Sequence, residues 1–273
     1  MTVRLVNGAE SEDGKLFVAA VDEACLSEDA EPYRVAFDCE GVNLSRLGSV
    51  ELISICFSKD TYLVDVGGKA PDAETIKAVK MLLEDTKVVK IIHDCRMDCD
   101  ALFHLHGISL KNVHDTSAYH AEIARQEDKN LNDVLTYYDL AQNAARDKNV
   151  YKINPAFWET RPLTKTMIDW ASSDVDKLFV LATKQLERIT ESGKARATTK
   201  SEQYARSARD MEVVTGLRVN QPGLFIGRGG TNLRGLQKRT GTLIYQQRPG
   251  NTWFVYHDPT TNSLAVVKSA MRN

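Results

Sequence analysis

Short extended runs alternate with amphipathic helical runs through the first half of the chain, and that alternation confines it to an α/β architecture. Val3 to Val6 reads as a strand, and Gly14 to Cys25 as a helix with Phe17, Ala20, Val21 and Ala24 on one side. Three strands are expected at Tyr33 to Cys39, Glu51 to Phe57 and Thr61 to Val64, then a turn at Gly67-Gly68 and a helix over Ala73 to Glu84. The β-branched run Val88 to His93, a helix over Arg96 to His106 and a short strand at Asn112 to Asp115 repeat the pattern. From Thr116 to Leu140 the pattern is helical, with Asn130 or Asn132 as a cap, and a longer helix runs from the cap Thr164 to Glu191.

The polar stretch after Glu191, with Ser192-Gly193 and Thr198-Thr199, reads as a boundary. It divides the chain into a domain over 1–191, a linker over 192–210 and a small domain over 211–273. The 273 residues are long enough for one large and one small core. Charge supports the division: Ala195 to Asn273 carries 12 basic against 4 acidic residues, or +8, leaving −10 on the rest. An acidic body joined to a basic tail predicts that the tail meets a polyanion. No apolar run reaches the length of a membrane span, and the first ten residues lack a signal-peptide pattern, so a soluble intracellular protein, cytoplasmic or nuclear, is expected. The five cysteines are odd in number and scattered through apolar segments, which predicts reduced thiols.

Within this frame one stretch carries chemistry. Phe37-Asp38-Cys39-Glu40-Gly41 closes an apolar strand, and side chains two apart on a strand share a face, so Asp38 and Glu40 point the same way. Paired carboxylates repel and call for a cation, and hard oxygen donors suit Mg²⁺ or Mn²⁺. Asp98 follows the strand Val88 to Ile92 on the side where α/β sheets bind ligands, with Asp94 and Asp100 as rivals. Asp174 lies on the long helix one turn after Trp170, so the two share a face among apolar neighbours.

Taken in order, Phe-Asp38-Cys-Glu40-Gly, His93-Asp-Cys-Arg-Met-Asp98, Val113-His-Asp115-Thr116, Arg161-Pro162 and Trp170-Ala-Ser-Ser-Asp174 resemble the motifs of the DEDD 3′-to-5′ exonuclease superfamily. The likeness is to its ribonuclease D-like branch, including Egalitarian-type proteins, and covers Val3 to Leu186. It implies an α/β, ribonuclease H-like domain, a mixed sheet flanked by helices. It also implies that Asp38, Glu40, Asp98 and Asp174 hold two Mg²⁺ or Mn²⁺ ions, which activate water and stabilise the leaving 3′ oxygen as 5′-mononucleotides are released. Asp115 is implied to be structural. Where the branch has a Tyr that orients the attacking water, four residues before the last Asp, this chain has Trp170, whose indole only donates. Because the Egalitarian-like group includes non-catalytic members, the resemblance implies two outcomes: an exoribonuclease, or an RNA-binding adaptor with a weakened site.

In the tail, Leu224-Phe225-Ile226-Gly227-Arg228-Gly229-Gly230 is a glycine-rich turn leading into a helical run, Thr231 to Thr240. Such a turn lets backbone amides approach phosphate at a helix N-terminus. With the strands Leu243 to Gln246 and Trp253 to Tyr256 and the helix Ser263 to Met271, it resembles a KH domain, a small α+β module that grips about four single-stranded nucleotides. The resemblance implies that Gly227, Arg228, Gly229 and Gly230 hold the RNA backbone. Arg234 and Lys238 are candidates for phosphate contacts, and Ile226, Leu233 and Ile244 for the base groove or the core. Single-stranded RNA is the expected partner, with single-stranded DNA as the other polyanion of the same chemistry.

Overall fold

The computed structural model describes residues 2–28, 31–67, 72–127, 129–147, 149–247 and 252–272. It resolves into two units, Met1–Arg209 and Asp210–Asn273. The first is built on a six-stranded sheet of β1 (Thr2–Val6), β2 (Arg34–Glu40), β3 (Leu52–Cys56), β4 (Asp60–Asp65), β5 (Val89–Ile92) and β6 (Val113–Asp115), in the order β1-β4-β3-β2-β5-β6. β2, β3 and β4 form an antiparallel meander, while β1 on β4, and β5 and β6 beyond β2, run parallel, so the sheet is mixed as expected. The expected Gly67-Gly68 turn falls partly outside the described residues.

The helices are α1 (Glu12–Leu26), α2 (Ala73–Glu84), α3 (Arg96–His106), α4 (Thr116–Ala124), α5 (Leu131–Tyr137), α6 (Val150–Ile153), α7 (Lys165–Arg188) and α8 (Glu191–Asp210). Their starts follow from side-chain oxygens that satisfy orphan amides of the first turn. Ser11 accepts from Gly14 N, Asp72 from Thr75 N, Asn130 from Asp133 N and Thr164 from Met167 N. The helical pattern expected from Thr116 to Leu140 is two helices, because Arg125 adopts a left-handed conformation (φ 57°) and ends the first.

Strand alternation sorts side chains to two faces. Val35, Phe37 and Cys39 of β2 join Ile53, Ile55 and Val64 in a core that includes Phe17 and Val21 of α1, Val79 and Leu82 of α2 and Leu102 of α3. On the other face Ala36, Cys56 and Ile91 pack with Val175, Leu178 and Leu181 of α7, and Leu52 and Leu63 with Met167, Trp170 and Ala171. Asp38 and Glu40, in step with Ala36, therefore belong to the face that α7 covers. All five cysteines are free.

The stretch expected as a linker is instead part of the first unit. α8 buries Ala197, Ser201, Ala205 and Ala208, an i, i+4 seam. Ser201 Oγ accepts from Asp115 N at 3.1 Å, and Arg46 closes the C-terminus by donating to Ala208 O at 2.7 Å and Arg209 O at 3.0 Å. Small residues every third or fourth position make a helix face that a polar average conceals. The boundary falls at Arg209/Asp210.

The second unit has a three-stranded antiparallel sheet, β7 (Glu212–Arg218), β8 (Leu243–Gln246) and β9 (Thr252–His257), in the order β7-β9-β8. Its helices are α9 (Pro222–Ile226), α10 (Thr231–Thr240) and α11 (Ser263–Arg272). Phe225, Leu236, Ile244, Trp253, Val255, Val267 and Met271 form its own core. No helix among the described residues is long and apolar enough to cross a membrane.

Candidate active site

Asp38, Glu40 and Asp174 each place a carboxylate oxygen within 4.8 Å of the others. Two come from the end of β2 and one from the middle of α7, whose Trp170 and Ala171 pack on Leu52 and Leu63 and thereby fix the helix over the strand. Glu40 and Asp174 are buried and Asp38 is half-buried.

The fourth expected acid, Asp98, stands beside this group. In the first turn of α3, it accepts from Cys39 N at 3.1 Å through Oδ1, the amide between Asp38 and Glu40. Its rivals are engaged elsewhere. Asp94 pairs with Arg96 at 2.7 Å, and Asp100, fully buried, accepts from Arg46 Nε and Arg46 N, each at 2.7 Å. Asp115 accepts from Asp94 N, Cys95 N, Ser117 N and Ala118 N at 2.8 to 3.3 Å, so it caps α4 and fixes the turn that launches α3.

Burial and mutual repulsion show in the acidities. Desolvation first, then Asp98 and Asp174, push Asp38 well above the usual carboxylate range, against the opposing charge of Arg146. Glu40 is raised likewise, by burial, then Asp38 and Asp174. Burial pushes Asp98 up to about 7, against hydrogen bonds from its own amide and that of Cys39. Glu40 Oε1 is buried with no hydrogen-bond donor. Three convergent carboxylates, one with an unsatisfied oxygen, are a hard-oxygen donor set that fits a divalent cation.

Trp170 is 1% exposed and boxed by Tyr151, Phe157 and Trp158, with ring centres 5.6 to 6.1 Å away. Its Nε1 is buried without a partner.

Three residues of the site were not expected from the sequence. Asn143 donates from Nδ2 to Asp174 Oδ1 at 2.8 Å and to Trp170 O at 3.0 Å. Arg146 donates from Nη1 to Asp174 Oδ2 at 3.2 Å. The Tyr151 hydroxyl accepts from Trp158 Nε1 at 3.0 Å, and burial, followed by the charge of Glu40, raises its pKa. All three sit in or beside the polar 138–154 segment, which has no hydrophobic period to mark it.

In the second unit, Gly227, Gly229 and Gly230 all have positive φ (73°, 58° and 81°). A Cβ on Gly227 would meet Asn232 Cγ at 2.6 Å, and one on Gly230 would meet the mobile end of Arg234 at 2.7 Å, whereas Gly229 faces open space. Ile244 is buried in the core, which rules it out of an open groove, while Ile226 and Leu233 are half-buried against that core.

A 3′-5′ exonuclease family model matches residues 19–190, well over half of the chain. The chain belongs to the 3′-5′ exonuclease family. Among curated relatives, this exonuclease-family chain is 28% identical over 171 residues to the piRNA biogenesis protein EXD1 of Mus musculus, covering 55% of the chain and 28% of that protein. It is 38% identical over 80 residues to the Homo sapiens protein of the same name, covering 28% of the chain and 15% of that protein. It thus spans under a third of either relative. Among solved structures it resembles Trypanosoma brucei RNase D (TM-score 0.60, 19% identity, 76% of this chain and 73% of that one). Escherichia coli RNase D matches with TM-score 0.57 and 20% identity over 78% of this chain and 52% of that one. Brucella melitensis NrnC with bound Mg²⁺ matches with TM-score 0.55 and 19% identity over 75% and 90%. The fold of the first unit is accordingly the ribonuclease H-like exonuclease fold.

Proposed function

We propose that the protein is a metal-dependent 3′-to-5′ exoribonuclease acting on single-stranded RNA, with Asp38, Glu40, Asp98 and Asp174 as the residues that hold two Mg²⁺ or Mn²⁺ ions. The observation that carries this reading is the convergence of the Asp38, Glu40 and Asp174 oxygens within 4.8 Å on an exonuclease fold. Bound divalent ions would supply Lewis-acid activation of water and charge stabilisation at the scissile phosphate. The protein's own part is to hold the acids. β2 and α7 fix three of them, Asp98 bonds to the β2 backbone, and Asn143 orients Asp174.

Residues 211–273 are read as a KH module. What supports this is the succession of β7, α9, a glycine turn, α10, β8, β9 and α11, with the turn at Gly227 to Gly230 opening α10. Gly227, Arg228, Gly229 and Gly230 would meet the phosphate backbone, aided by Arg234 and Lys238.

A second reading is a non-catalytic RNA adaptor. Trp170, buried where the branch carries a hydroxyl, favours it, and relatives named as piRNA biogenesis proteins are compatible with either. The test is 5′-labelled single-stranded RNA incubated with Mg²⁺, Mn²⁺ or EDTA, for wild type and Asp38→Ala. A metal-dependent ladder shortening from the 3′ end, absent in Asp38→Ala, is expected. Bound but intact RNA in wild type would establish the adaptor.

A further inference from the structure

Among the Arg–carboxylate pairs of the first unit, that of Arg146 differs from those of Arg46 and Arg161. Arg46 holds Asp100 through both its side chain and its backbone amide. Arg161 forks onto Asp65 with Nε at 2.7 Å and Nη2 at 2.6 Å, and also donates to Trp158 O and Glu51 O. These are multidentate contacts that fix structure. Arg146 makes a single contact, Nη1 to Asp174 Oδ2 at 3.2 Å, while its Nε is buried with no acceptor. Its guanidinium carbon lies 5.9 Å over the Trp170 ring, and the side chain keeps 26% exposure against 1% for Asp174.

A cation held by one bond, beside a Glu40 oxygen with no donor, is a placeholder. Burial alone would lower its pKa, yet Asp174, Asp38 and Glu40 together hold the guanidinium in its charged form. It therefore supplies the positive charge that keeps three convergent carboxylates together in the absence of a metal. The same charge opposes a divalent cation entering the cluster, and a guanidinium released from Asp174 is suited to a phosphodiester oxygen.

Resting on the metal-site reading above, we infer that Arg146 is the built-in counter-ion of the carboxylate cluster, yields Asp174 when a divalent cation binds, and then takes a phosphate oxygen of the nucleic acid. The exchange is one of ionic partners, with no covalent bond made or broken.

The test uses the full chain as wild type, Arg146→Met and Arg146→Lys. Free Mn²⁺ is followed by electron paramagnetic resonance during titration without nucleic acid. Arg146→Met is expected to bind Mn²⁺ about tenfold more tightly, the scale of one charge-assisted hydrogen bond, with Arg146→Lys close to wild type, which also shows that the position tolerates change. Equal or weaker Mn²⁺ binding by Arg146→Met overturns the proposal alone. No Mn²⁺ binding by any of the three overturns the metal site and the proposal with it. In the second arm, a phosphorothioate dinucleotide is titrated with and without Mn²⁺. Wild type should gain affinity from Mn²⁺, and Arg146→Met should lose most of that gain; an undiminished gain overturns the phosphate role.

Discussion

Asn143 spans the turn of α7 between Trp170 and Asp174, donating from one Nδ2 to Asp174 Oδ1 at 2.8 Å and to the Trp170 carbonyl at 3.0 Å. Its Oδ1 accepts from Ala145 N at 3.0 Å, so a 2% exposed amide joins α7 to the loop that carries Arg146. Asn143→Ala leaves a buried carboxylate oxygen and the Ala145 amide without partners. It should cost about 1–3 kcal/mol in urea unfolding of the metal-free protein. A cost within the error of the measurement would mean that Asp174 is held by its helix alone.

Trp170→Tyr exchanges an indole with a buried, unpartnered N–H for a hydroxyl that both donates and accepts. On the exonuclease reading, metal-dependent turnover should rise by about a hundredfold, the lower end of the range for a well-placed proton-transfer group. The smaller ring leaves space among Tyr151, Phe157 and Trp158, so stability should fall by about 1–3 kcal/mol. Single-turnover rates on labelled RNA separate the two effects. A fall in rate at retained stability would show that the site works through the indole's surroundings.

Much of this was legible in the sequence because periodicity and burial coincide. The β2 alternation announced Asp38 and Glu40 on one face, and Ala73–Glu84 and Arg96–His106 begin and end where their patterns do. α8 was hidden because its buried face is Gly193, three alanines and one serine, which a hydrophobic pattern does not register. Asn143, Arg146 and Tyr151 were hidden for a different reason. Their placement depends on where a loop folds back over α7, a long-range relation with no local period. The sequence favours Asp98, after the strand Val88 to Ile92, with Asp94 and Asp100 as rivals. In the structure Arg96 and Arg46 pair with Asp94 and Asp100, while Asp98 accepts from the Cys39 amide.

The acidity of Asp98 sets a pH dependence. Its folded pKa of about 7 lies above the unfolded value near 3.9, so the native state keeps a proton that the unfolded chain has lost. Stability of the metal-free protein should therefore decline as pH rises from about 4 to about 7 through this group, and level off above. A cation entering the cluster favours the ionised form and expels that proton. Calorimetric titration of Mn²⁺ in two buffers of different ionisation heat should count more protons released at pH 6 than at pH 8. Equal release at both would place Asp98 outside the reach of the metal.

The glycine turn of the second unit separates folding from binding at adjacent positions. Gly227 cannot accept a side chain, since a Cβ meets Asn232 Cγ at 2.6 Å and Asn232 Nδ2 in turn donates to Leu224 O at 2.8 Å. Gly229 has φ 58°, a left-handed conformation that Asp tolerates, and nothing within 4 Å of the added carbon. Gly229→Asp combined with Arg228→Asp should thus leave the fold intact while bringing two carboxylates to the N-terminus of α10. If residues 211–273 bind RNA through this turn, affinity should drop by at least about tenfold, and the slope of log affinity against log salt should flatten by about one unit for each lost phosphate contact. Gly227→Ala should instead lower the unfolding temperature of the second unit. An unaltered binding isotherm for the double variant, measured by fluorescence anisotropy with single-stranded RNA, would move the RNA contact away from the Gly227–Gly230 turn.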